Sequence, residues 1–125
     1  MTGILWAVIK QPLLIQSRYP LGQPHHITLQ YGVDLSNWKH LLDKEFTVTC
    51  LYEAWNSNIQ AIAVKLPTDI PCGSKLPCAN KQPHISVSWK QGISPVESNN
   101  MLATKFNYKL LDLRVSCKIE FLEWN

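Results

Sequence analysis

Two short segments of this chain match each other in residue type and in context. His26-Ile27-Thr28-Leu29 and His84-Ile85-Ser86-Val87 both read histidine, apolar, small hydroxyl, apolar, and each closely follows a proline. In an extended strand, residues i and i+2 share a face. Each histidine therefore shares a face with its hydroxyl, while the intervening apolar residues turn to the core and anchor the strand. Laid side by side, two such strands present two imidazoles and two hydroxyls to one cleft.

That set suits phosphodiester cleavage. The reaction needs a base to activate the nucleophile and an acid to protonate the leaving oxygen, and histidine can serve as either near neutral pH. Thr28 and Ser86 can donate hydrogen bonds to non-bridging phosphate oxygens as charge develops on them. The scheme calls for no metal and no cofactor. One His-apolar-Thr tripeptide alone carries little weight, since a lone strand histidine is more often structural. Two copies in matched strand contexts point to catalysis, with His26, Thr28, His84 and Ser86 as the candidate residues.

Other side chains near the motifs are secondary candidates. Tyr31 and Trp89 each stand five places beyond a motif histidine, where they could stack on a base. The odd offset, however, faces the other side of a regular strand, which favours core packing. Ser98 and Asn99 belong to the polar segment 94–99, within a loop read over 92–100, that could wall the cleft. His25 competes for the register, because Gln23-Pro24-His25 echoes Gln82-Pro83-His84. Strand alternation turns it away from His26, so it reads as structural. His40 reads as a surface residue. Arg18, Lys81 and Lys90 lie near the motif strands and could meet phosphate, although solvated loop charges are the ordinary case.

The elements that must position these residues are mostly strands. Residues 4–9 read as a strand, a polar loop follows, and a second strand covers 26–31 and stops at Gly32. Asp34 or Ser36 can cap a helix over 35–44, where Trp38, Leu41 and Leu42 fall on one face. Phe46, Val48, Cys50 and Tyr52 alternate, turn through 53–57, and return along 58–66 as a hairpin. After a proline-punctuated loop comes the strand 84–89. Phe106, Tyr108 and Leu110 alternate, as do Val115, Cys117, Ile119 and Phe121, which predicts a terminal strand pair. Many strands with one good helix predict an α+β domain of antiparallel sheet in two pseudo-symmetric lobes around a cleft.

Composition narrows the partners. The 125 residues, 46% hydrophobic and 17% charged, fit one ordinary domain, spanning 1–125, with a genuine core. A net charge of +3 suits one polyanionic ligand held locally, not the many phosphates of duplex DNA. No apolar run is long enough for a membrane span, and the opening residues read as a strand, not a signal peptide. The expected setting is therefore cytoplasmic, with the protein as a monomer. Cys50, Cys72, Cys78 and Cys117 lack the pair spacing of a zinc site. Cys50 and Cys117 fall in strand alternation as small buried thiols.

The paired motifs resemble those of the 2H phosphoesterase superfamily, named for two His-x-Thr/Ser motifs in a two-lobed fold. It includes RNA ligase-like cyclic phosphodiesterases, the phosphodiesterase domains of fungal and plant tRNA ligases, and phage nucleases that degrade cyclic oligonucleotides. Pro24-His25-His26-Ile27-Thr28, the Cys50–Leu66 hairpin and Pro83-His84-Ile85-Ser86-Val87 are also similar to small stand-alone proteins associated with bacterial RNA repair. The resemblance implies a metal-independent phosphodiesterase for cyclic or 2′–5′ ribonucleotide esters, with one motif histidine as acid and the other as base. The alternative from another class is a nucleotide- or RNA-binding module that keeps the fold without turnover.

Overall fold

Alternating apolar residues form six strands, and these close on themselves. The computed structural model describes residues 2–22, 24–68, 70 and 76–123; Gln23, Cys72 and Trp124 lie outside them. The strands are β1 (Thr2–Ile9), β2 (His26–Asp34), β3 (Glu45–Trp55), β4 (Ile59–Lys65), β5 (His84–Trp89) and β6 (Asn107–Glu123). They are ordered β1-β2-β5-β4-β3-β6 in a closed barrel, with every neighbouring pair antiparallel. Closure removes the exposed edges that an open sheet would leave. The two-lobed α+β expectation is thus wrong. The same alternation that suggested two sheets is satisfied by one barrel, whose apolar faces share a single interior.

Leu5, Ile27, Leu29, Val48, Ile62, Ile85 and Ile119 fill that interior and are fully buried. Burying a side chain of this size is worth about 1.5–3 kcal/mol relative to exposure. β4 is buried on both faces. Ile62 and Val64 point into the barrel, whereas Ile59 and Ala61 form a second cluster with Ala54 and Met101. Met101 belongs to α1 (Glu97–Leu102), which packs on the outside of β4.

Helix placement differs from the sequence reading. Residues 35–44 form two 3₁₀ turns, Leu35–Asn37 and Lys39–Leu41, with Asp34 capping the first through Ser36 N. Leu41 is buried while Trp38 and Leu42 pack against the core, so short turns meet the apolar spacing that suggested a helix. A free helix this short is marginal, and its tertiary surroundings decide its form. The single α-helix among the described residues, α1, lies instead in the segment read mainly as loop. Glu97-Ser98-Asn99-Asn100 has little helix propensity, and packing of Ser98 and Met101 holds it in place.

The expected terminal strand pair is one continuous strand. β6 pairs with β3 from Asn107 to Lys118 and with β1 from Cys117 to Glu123. An irregularity opposite Leu51 shifts the register between Leu110 and Leu113, which flips the face of the alternation without ending the strand. No helix among the described residues is long and apolar enough to cross a membrane.

Candidate active site

The ladder between β2 and β5 is a single residue pair, Ile27 opposite Ile85. Both isoleucines are fully buried, so the flanking residues turn outward. Antiparallel register about that pair sets His26 across from Ser86 and Thr28 across from His84. Beyond it the strands part, and Ala79 N donates to Leu29 O to satisfy the freed backbone. The four motif side chains line one cleft of about 540 Å³ on the outer surface of the barrel. Its walls include Trp6 and Ile4 from β1, Asn80 from the preceding loop, and Pro95, Val96 and Asn99 at α1.

The two histidines are held alike. His26 Nδ1 lies 3.0 Å from Pro24 O, and His84 Nδ1 lies 2.9 Å from Gln82 O. A carbonyl can only accept, so each Nδ1 carries its hydrogen and donates it. Each neutral ring therefore keeps its lone pair on Nε2, which is the atom left to act on a ligand. Burial lowers the pKa of both imidazoles below the usual histidine value. At His26 the charges of His84 and His25 lower it further, while the bond to Pro24 opposes the shift. The Trp6 ring packs on His26 with centroids 4.3 Å apart and helps to exclude water.

The hydroxyls are not equivalent. Thr28 Oγ1 has no hydrogen-bond partner among the described residues. Ser86 Oγ lies 3.1 Å from Pro95 O and 2.8 Å from Ser98 Oγ. Its one hydrogen thus has protein acceptors already, and it must leave them to reach a phosphate oxygen. Ser98, fully buried, serves as the support behind Ser86 and does not line the cleft.

The remaining candidates separate clearly. Tyr31 and Asn99 line the cleft, whereas Trp89 packs into the second core cluster. Tyr31 reaches the cleft despite its odd offset because of a bulge in β2. Trp6 is opposite Thr28 and Leu5 opposite Gln30, so Leu29 is an extra residue that reverses the alternation. Tyr31 therefore comes opposite Ile4, on the Trp6 and Thr28 side. His25 does not line this cleft; its Nε2 lies 3.0 Å from Val87 O, tying the loop before β2 to β5. Arg18 is also elsewhere, with Nε 2.6 Å from Glu53 Oε2 and its guanidinium over the Trp55 ring.

Sequence reasoning missed Trp6, Ile4 and Asn80, whereas Pro95 and Val96 lie in the loop segment it offered as a cleft wall. Alternation with buried Leu5 and Ala7 could have marked Trp6 as outward-facing, but its neighbour across the sheet depends on register. Among the described residues, no three His, Cys, Asp or Glu side chains come together to hold a metal ion.

The site, then, is a paired histidine–hydroxyl cleft on two adjacent antiparallel strands. Residues 23–117, which include both motifs, match the model of the fungal tRNA ligase phosphodiesterase domain. The chain belongs to that family, and through it to the 2H phosphoesterase superfamily. No curated protein and no solved structure matched the chain. Family membership supports a phosphodiesterase activity.

Proposed function

We propose that the protein hydrolyses a cyclic phosphodiester of a ribonucleotide, with a 2′,3′-cyclic phosphate at an RNA end as the leading substrate. The observation that carries this reading is the matched pair of histidines, each with Nδ1 fixed on a backbone carbonyl and Nε2 left for chemistry. One neutral imidazole takes a proton from water as the water oxygen bonds to phosphorus. The other, protonated, gives its proton to the ribose oxygen as the P–O ester bond breaks. Thr28 donates to a non-bridging oxygen, joined by Ser86 once its hydrogen turns from Pro95 or Ser98. Tyr31 and Asn99 flank the bound nucleotide.

The test sets a 2′,3′-cyclic nucleotide, a 2′–5′ dinucleotide, a cyclic oligonucleotide and duplex DNA side by side at equal concentration. Turnover is expected on ribonucleotide esters, with duplex DNA left intact and no loss of rate in EDTA. His26→Ala and His84→Ala should each lower turnover at least ~100-fold, the low end for loss of a general acid or base. His25→Ala should keep it. Tight nucleotide binding without turnover would return the protein to the binding-module reading.

A further inference from the structure

A second depression, of about 490 Å³, adjoins the cleft and is lined by Lys81, Gln82, Asn99, Leu102 and Ala103. Asn99 lies on the wall of both, so the two are neighbours on the protein surface. Each is within the size range of a site for one small ligand. Together they offer room for more than the single ring system and phosphate that the motif residues address.

The chemistry of the second depression is mixed in a useful way. Lys81 is exposed and makes no ion pair with a described residue. Gln82 Nε2 donates to Val64 O and Pro83 O, which holds the amide in place and leaves Oε1 as an acceptor. Leu102, half-buried against the second core cluster, supplies an apolar surface, and Asn99 is exposed beside it. The backbone of Gln82 also carries the carbonyl that orients His84, so one residue joins the second depression to the motif cleft.

We propose that this depression is a subsite for the nucleotide next to the reacting one, with Lys81 as its phosphate contact. The ammonium of Lys81 meets the phosphodiester that joins the two nucleotides. The neighbouring base lies on Leu102 and Ala103, with its polar edge toward Asn99 and Gln82 Oε1. The inference rests on the reading above for which end of the chain enters the motif cleft.

The experiment separates binding from turnover. Calorimetry compares adenosine 2′-monophosphate with the dinucleotide ApA bearing a terminal 2′-phosphate, and kinetics compares the two corresponding 2′,3′-cyclic phosphates. The dinucleotide is expected to bind at least ~10-fold more tightly, the scale of one added charge-assisted hydrogen bond, and to show a higher kcat/KM. Lys81→Ala should bring the dinucleotide-to-mononucleotide ratio toward unity, whereas Lys44→Ala, on the far connection, should not. Equal binding of the two probes, or of neither, would overturn the subsite. So would a dinucleotide advantage that survives Lys81→Ala. Preferential, Lys81-dependent dinucleotide binding without hydrolysis would keep the subsite and remove the catalytic reading alone.

Discussion

Both motif histidines bury most of their imidazole, and burial disfavours the charged ring. In the proposed mechanism the productive form of the free protein has one neutral and one protonated histidine, and its population peaks between the two apparent pKa values of the coupled pair. With both rings shifted below the ordinary ~6.5, the kcat/KM profile is expected to peak on the acid side of that value. Rising pH removes the acid's proton, and falling pH protonates the base. A pH–rate series placing the maximum near 8 would contradict the assignment. The hydroxyls make a second prediction at this scale. Thr28→Val should lower kcat by ~100-fold or more, as for loss of one transition-state donor. Ser86→Ala should cost less in rate but also destabilise the fold by roughly 1–3 kcal/mol, because it strips buried Ser98 of its partner. Equal effects of the two substitutions on kcat would show that Ser86 is no less available than Thr28.

At the scale of elements, the site exists because β2 and β5 pair at one point and then separate. β1 supplies Trp6 and Ile4 on one side, and the segment entering α1 supplies Pro95 and Val96 on the other. The bulge at Leu29 adds Tyr31 to the β1 side. The position of β1 depends in turn on its close approach to β6. A Cβ on Gly3 would fall 2.1 Å from Leu122 O, a backbone atom that cannot swing aside. Gly3→Ala is therefore expected to destabilise the protein by about 1–3 kcal/mol, the usual range for overpacking. Urea unfolding measures this, and an unchanged midpoint would mean that the closing strands separate easily. Gly32 has a different reason to be glycine: its φ of 68° is in the left-handed region, and nothing crowds the missing Cβ.

For the whole molecule, the closed barrel gives an apolar interior and puts the histidine cleft on its outer wall. Cys50 and Cys117 lie in that interior, both fully buried. Burial, reinforced by Cys50, pushes the Cys117 thiol up to about 12, and burial also raises Cys50. The thiolate is the reactive form, so neither should react in the native state. In a Cys72→Ser, Cys78→Ser background, a thiol reagent is expected to label the protein only at the rate of opening or unfolding. Rapid stoichiometric labelling of the folded protein would show that the barrel is not closed around these side chains.

Periodicity and motif repetition were enough to place all six strand regions and to put His26, Thr28, His84 and Ser86 on shared faces. Both properties are local: alternation of side chains follows from backbone geometry within one strand. The burial of Cys50 and Cys117 was legible for the same reason. The β6 bulge was not, since parity alone cannot distinguish two strands from one strand with an inserted residue. Whether residues 35–44 became helix or 3₁₀ turns, and whether Glu97–Leu102 became helix at all, depended on what each segment packed against. Strand order, barrel closure and the neighbours of each motif face are long-range pairings that no local pattern records. Tertiary structure alone therefore brought Trp6 against His26, carried Tyr31 into the cleft across a bulge, and fastened Ser86 to Ser98 while leaving Thr28 unpartnered among the described residues.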